Sequence, residues 1–517
     1  MKKYIIISIL ALSTMLFISC EGFLDTTPDN RAEVDTEDKI TSLLVSAYPS
    51  STSALLTEMA SDNSMDNGST YAVDYYEQEE AYLWLDMESS DNDSPKALWD
   101  GCYVAIAAAN QVLQAIDEMG NPESLNPQKG EALMCRAFGH YMLANFFCLA
   151  YNPETASKDM ALPYSVSPET EVAPNYERGN MEDFYAKIYA DIQAGLPLID
   201  DAIFTVPKYH FNKRAALAFA SRMALLYNKY DDCIAYSNEV LGNNPVSIMR
   251  DWTANKNATI ADGFNLYISA SDPGNLMLLT TNSIAGRILG WYGLGERYNQ
   301  GTDIYSKENV GAPALWGTQS GLIMGRISAM DTKNCAVKIT EYFEYTDKVN
   351  GIGYTHVVFS VWNTNEVLLN RAEAYALKGD FANAVIDINY WLKSMTTGGI
   401  QKTQQEIVDF YNNIEYSAVG EALYADNAVR TIKKELHPSG FTVAEGDMEN
   451  LIQCILHMRR LETLQEGRRW EDIKRYGLEI THNREGQAPD VLTVDDPRRA
   501  FQLPFDVISA GLPANPR

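Results

Sequence analysis

LLNRAEAYALKGDFANAVIDINYWL, residues Leu368–Leu392 within the segment that opens at Glu366, decides the fold. Apolar residues recur at spacings of three and four on both sides of Lys378-Gly379-Asp380, so each side is an amphipathic helix. Ala372 and Ala384 are small residues where two helices would cross closely, and Gly379 supports the turn between them. Phe381 fills the groove beside that turn, and Tyr375 completes the pattern.

This is the spacing of a tetratricopeptide repeat. The same design returns upstream. Leu98, Cys102, Ala105, Ile106, Ala109, Val112, Leu113 and Ile116 mark a helix that Gly120, Asn121 and Pro122 end. A second helix follows over about 127–150, with Ala132, Arg136, Ala137, His140, Tyr141 and Ala144 on one face, and the two form a hairpin. Further helices are expected near 39–48, over 181–200 and over 211–241, where Tyr230-Asp231-Asp232 opens the second of a pair. The repeats are few and scattered, so the expectation is a mainly α chain built on a discontinuous helical-hairpin scaffold rather than a regular solenoid. Between the helices, about 243–356 is rich in Gly, Ser, Thr, Asn and aromatics, with short β-like runs at Tyr267–Ser271, Met277–Thr281 and Val337–Tyr345. Long loops in compact proteins usually carry function, so this minor-β region reads as the ligand-facing half. The scaffold then covers about 39–242 and 357–517.

The 517 residues are 46% hydrophobic, which makes the body globular. The formal charge of −28 argues against nucleic acid as a partner, because phosphates would be repelled. At the start, Lys2 and Lys3 precede an uncharged apolar run, Tyr4–Phe17, too short for a convincing membrane span. Small Ser19 then stands directly before Cys20. This pattern is that of a lipoprotein signal (1–19) with Cys20 as the acylated first mature residue, followed by a polar tether (20–38). Acyl chains would hold the protein on a membrane at about 0.8 kcal/mol per buried methylene. None of the other six cysteines lies in a CxxC or zinc spacing, and buried free thiols are the expectation.

One string goes further than pattern. MRRLETLQEGRRWEDIKRYG, Met458–Gly477, resembles the signature helix pair of the SusD/RagB family through Arg459, Arg460, Glu462, Glu466, Gly467, Arg469, Trp470, Asp472, Ile473, Arg475 and Gly477. Met458 stands where an acidic residue is usual and Gln465 where Phe is common. CEGFLDTTPDN, Cys20–Asn30, and the terminal LPFDVISAGLPANPR resemble the family's two ends. The resemblance implies a non-catalytic receptor on the outer membrane, facing the cell exterior. It also implies a SusC-like TonB-dependent transporter as partner, with a glycan as cargo; some relatives bind peptides. A surface structural or adhesion role is the reading from a different class. The signature itself reads as structural, with Arg469 beside Trp470 and Glu462 or Glu466 as its ion-pair partner.

No G-x-S-x-G, H-E-x-x-H, Walker A or G-x-G-x-x-G string occurs, and no metal or cofactor is expected. Asp86, Asp91, Asn92 and Asp93 do not have the spacing of an EF-hand loop. His140, on an apolar helical face, reads as a core residue. Sugar recognition needs aromatic faces for ring C–H groups and polar side chains at the hydroxyl edge. Two loop regions concentrate these: Tyr71, Tyr75, Tyr76, Tyr82 and Trp84, then Trp291, Tyr292, Arg297, Tyr298, Tyr305 and Trp316 among glycines. Trp291, Tyr292, Trp316, Tyr76, Trp84 and Tyr75 are the candidate ligand-binding residues.

Overall fold

A computed structural model describes residues 34–169, 176–290, 296–323, 327–330, 333–421 and 429–517. The signal, Cys20 and most of the tether lie outside the described residues, as do Trp291 and Tyr292.

Helices dominate. After α1 (Glu37–Leu44), α2 (Ala54–Ala60) and α3 (Tyr76–Tyr82) come the long helices α4 (Pro95–Glu118), α5 (Asn126–Phe147), α6 (Met181–Gly195), α7 (Lys213–Leu226) and α8 (Tyr230–Leu241). Then follow the short α9 (Trp252–Asn257), α10 (Ile260–Tyr267), α11 (Ala285–Ile288) and α12 (Thr302–Lys307). The C-terminal part holds α13 (Thr364–Leu377), α14 (Phe381–Met395), α15 (Gln404–Asn412), α16 (Asp447–Glu462), α17 (Arg469–Arg475) and α18 (Phe505–Ser509). Helices α4/α5, α5/α6, α7/α8 and α13/α14 pack as successive hairpins, and α13 also packs on α8 and α16. This is the expected mainly α, tetratricopeptide-like scaffold.

One device turns the hairpins. Gly379 adopts a left-handed φ of 77° and the N–H of Asp380 reaches back to Tyr375 O at 2.9 Å. Asn228 does the same at φ 59°, with Lys229 N–H on Ala224 O at 2.8 Å. Each caps orphan carbonyls at a helix end. Close crossing depends on the absence of side chains. A Cβ on Gly130 would lie 2.9 Å from Gly195 O, and one on Gly139 would lie 2.7 Å from Ile106.

The strands are short. In the three-stranded sheet β2 (Asn275–Thr281) and β6 (Tyr342–Asp347) flank β7 (Ile352–Asn363), all antiparallel. Pairs β1/β3 (Met65–Asp66, Tyr298–Asn299), β4/β5 (Ile327–Met330, Lys333–Ala336) and β8/β9 (Ile480–His482, Asp490–Leu492) complete the set. Met277–Thr281 is a strand as expected, whereas Tyr267 ends helix α10 and Ser271 lies in a turn. Burial overrides β propensity there: the Arg250 guanidinium lies 3.9 Å from the Tyr267 ring centre, and Tyr267 O–H donates to Glu466. Cys102, Cys135, Cys148, Cys233 and Cys454 are buried free thiols, and Cys335 is buried as well. His140 is fully buried, stacked 3.7 Å from Tyr164, and burial pushes its ring down to about 3. No described helix is long and apolar enough to cross a membrane.

The charged signature is interior. Arg459, Arg460, Arg469 and Arg475 are buried and each is ion-paired. Arg459 and Arg475 meet Glu373 of α13, and Arg459 also meets Asp472. The partner of Arg469 is Asp62, at 2.9 and 3.0 Å, rather than Glu462 or Glu466. Asp62 follows α2 and also faces Arg460 and Lys434. Burial raises its carboxyl, but these cations outweigh it and hold the group well below the usual range. The signature thus ties the first helices to the last.

Candidate ligand-binding rim

Loop residues become a site only if rigid elements hold them. The two aromatic-rich regions are stitched together by backbone and ion pairs. Strand β1 pairs with β3, Met65 opposite Asn299 and Asp66 opposite Tyr298. Ala72 bridges to Glu296, and Arg297 N–H donates to Ala72 O at 2.8 Å. Arg297 grips Asp66 with two bonds, 2.7 and 2.6 Å. Burial raises the Asp66 carboxyl, but Arg297 and the N–H groups of Glu485 and Gly68 win and hold it below its ordinary value.

Behind this seam stands a column of four rings. Tyr298 stacks on Tyr82 at 4.6 Å, Tyr82 on His482 at 4.1 Å, and His482 on Trp84 at 4.2 Å. Guanidinium groups cap both ends, Arg297 at 5.2 Å from Tyr298 and Arg498 at 5.3 Å from Trp84. Trp84 takes φ 50°, a left-handed conformation that bulky residues rarely adopt, and terminates α3 with Leu85 N–H on Glu80 O. Its ring contacts and an indole N–H bond to Ala60 O at 2.9 Å hold it there.

The candidate residues therefore separate. Trp84 is only 5% exposed and Trp316 only 8%. Trp316 packs 5.1 Å from His457 and 5.5 Å from Trp391, anchoring its loop to α14 and α16. In this conformation both indoles face the core, because each finds more ring contact there than at the surface, and neither forms a surface platform. Tyr76 is 78% exposed. Its neighbour Tyr75 is half-buried and accepts from Arg287 Nη1 at 2.6 Å, while Arg287 Nη2 donates to Glu341 at 2.8 Å. Tyr75, Arg287 and Glu341 form a hydrogen-bonded line, and the exposed Tyr76 follows Tyr75 directly in the chain; these four residues are the candidate rim. Gly290, which leads into Trp291, is packed so closely that a Cβ would lie 2.3 Å from Gly286 O.

Arg287 and Glu341 escaped sequence reasoning, since nothing local marks them and only the packing of α11 against residues 340–341 joins them. Phe343 and Tyr345 also escaped it. They share one face of β6 directly after Glu341, both exposed, their rings 4.8 Å apart. Their alternation in EYFEYTD was a usable signal.

The signature supports this rim from beneath. Gln465 Nε2 donates to Leu289 O at 2.7 Å, and its Oε1 accepts from Ala336 N–H at 2.7 Å. Glu58 accepts from the N–H groups of Gln465 and Gly467, and burial pushes its carboxyl up to about 7 despite them. Asp93, in the acidic loop weighed for calcium, instead accepts from Ser283 O–H and Ile284 N–H just before α11. Among the described residues no group of His, Cys, Asp and Glu is arranged to hold a metal.

A family model described as "Starch-binding associating with outer membrane", of the SusD-like type, matches residues 22–225. No curated protein matches the chain in sequence. Among solved structures, a sugar-binding protein of Bacteroides vulgatus, so described without assurance in its own name, is 15% identical. It superposes at TM-score 0.65 over 94% of this chain and 99% of its own. A SusD superfamily protein of Bacteroides thetaiotaomicron is 18% identical, TM-score 0.59, over 92% and 98%. One from Bacteroides fragilis is 16% identical, TM-score 0.59, over 93% and 98%.

Proposed function

We propose that this chain is a SusD/RagB-type, non-catalytic surface receptor that captures oligo- or polysaccharide and passes it to a SusC-like TonB-dependent transporter, a reading supported by the family-model match and the shared fold. The observation that carries the reading is the exposed Tyr76 ring, next in the chain to the hydrogen-bonded Tyr75–Arg287–Glu341 line. A pyranose lays its C–H face on such a ring and turns its hydroxyls to donors and acceptors at the edge. Trp291 and Tyr292, which lie outside the described residues, are proposed as further ligand contacts. Two or three such platforms, at roughly 1–3 kcal/mol each by analogy with stacked bases, give about micromolar to millimolar affinity. That is weak enough to hand cargo on. A family description that includes starch binding supports a glycan as cargo.

In this account residues 1–19 are removed, Cys20 carries lipid, and 20–38 tether the 39–517 body to the outer face of the outer membrane. The helical scaffold holds the rim and the transporter seats beneath it.

The test is calorimetric titration of the mature chain with panels of neutral glycans and of peptides, followed by chromatography of the recovered ligand. A glycan that binds, returns uncut and loses affinity in Tyr76→Ala supports the proposal. Binding by peptides alone, or cleavage of the glycan, contradicts it. Metabolic labelling with palmitate, lost in Cys20→Ser, tests the anchor.

A further inference from the structure

We propose that the chain carries a second binding site, for a single neutral or amino-bearing pyranose, in the cavity that Trp99 and Tyr103 wall on helix α4. The cavity is ≈ 260 Å³. That falls below the roughly 300–1,000 Å³ of sites for drug-sized ligands, so it suits one ring with its substituents. It shares no residue with the rim around Tyr76 and does not depend on what that rim binds.

The walls are built and held. Trp99 and Tyr103 stand one helical turn apart, with ring centres 4.7 Å apart and planes at 48°, forming an angled aromatic cleft. Tyr103 O–H donates to Pro163 O at 2.9 Å, and Trp99 rests edge-on against Phe147 at 5.5 Å. Leu512 closes the far side. The C-terminal segment that bears it is fixed by Arg178, which donates to Pro513 O and to Asn515 Oδ1 at 3.1 and 2.7 Å. Lys96 joins α4 to α18 through Asp506 at 2.9 Å. These contacts fix the apolar surfaces relative to one another, so binding need not order them first.

The polar groups gather at the mouth. Ser165 is oriented by Asn110, whose Nδ2 donates to its Oγ at 3.1 Å. The Glu169 carboxylate accepts from Tyr176 O–H, and both line the opening. The indole N–H of Trp99 donates to no described residue. An aromatic cleft with hydroxyl and carboxylate groups at its edge matches the two-faced chemistry of a pyranose. Glu169 and the chain's charge of −28 select against uronic or phosphorylated rings and favour an amino substituent.

The test uses the ¹⁵N-labelled mature chain and the indole N–H resonances of its eight tryptophans. The ligands are glucose, galactose, N-acetylglucosamine, glucosamine and glucuronate, with indole as a comparison, taken to about 50 mM, well above an about-millimolar Kd. The expected result is that neutral and amino sugars move one indole resonance, the one missing in Trp99→Phe, and that glucuronate does not. Trp99→Ala should weaken binding about tenfold or more. Exposed Glu169→Gln should weaken glucosamine several-fold more than it weakens glucose. Tyr76→Ala should leave the Trp99 response intact whether or not the rim binds glycan. The proposal is overturned if no sugar moves that resonance, if the moving resonance survives in Trp99→Phe, or if indole binds and no sugar does.

Discussion

Replacing Glu373 by Gln removes one buried negative charge and almost no volume. Glu373 lies on α13 and faces Arg459 at 2.6 Å and Arg475 at 3.3 Å, while Tyr476 O–H donates to it at 2.7 Å. Burial raises its carboxyl, but the two guanidinium groups outweigh that and bring it from 4.5 to about 2. That difference is worth roughly 3 kcal/mol at neutral pH. Breaking a buried pair by removing one partner costs a similar ~3–5 kcal/mol, because the cations are left uncompensated. At ~2.1 cal/mol/K per residue, 517 residues unfold with ~1.1 kcal/mol/K, so Tm should fall by ~3 °C. The pH dependence has a definite sign. The folded value lies below the unfolded one, so this stabilisation is full above about pH 4.5 and is lost as pH falls towards about 2. Thermal unfolding followed by circular dichroism at several pH values should show the gap between parent and Glu373→Gln narrowing with acid. Equal Tm values at neutral pH, or a gap that widens in acid, would refute the structural role given to the Arg-rich signature.

Other substitutions separate frame from rim. Trp84→Ala should cost about 3–5 kcal/mol, less whatever strain its left-handed backbone releases, and is read as a lowered Tm with the rim's intrinsic affinity little changed. Tyr76→Ala should do the opposite, leaving Tm within about 1 °C and weakening glycan about tenfold in calorimetry, since surface changes cost little stability. Glu58 titrates about 7 in the folded chain, above its ordinary 4.5. Its contribution is therefore full below about pH 4.5 and fades as pH rises through 7, and Glu58→Gln should flatten the slope of Tm against pH in that window.

Helical hairpins were legible wherever their turns use glycine. Gly379 marks its hairpin plainly, whereas Asn228 performs the same turn without that marker. Periodicity located α4 and α5 because their apolar faces repeat along a single element. It could not pair Arg469 with Asp62, which lies 407 residues away and belongs to no shared pattern. The two aromatic loop regions were visible as composition, and the seam between β1 and β3 brings them together. Which rings face outward was not visible. Trp84 and Tyr76 look equally eligible as letters, and only the stack on His482 and a left-handed helix end turn Trp84 inward. Arg287 and Glu341 carry no local signal because their meaning comes from Tyr75, more than 200 residues away for Arg287.

The most direct test is the structure of the mature chain in complex with the tightest glycan from the binding panel. The account requires a sugar ring on the Tyr76 face, hydroxyls within hydrogen-bond reach of Arg287 or Glu341, and every glycosidic bond intact. A glycan seated away from that rim, or found cleaved, would contradict it.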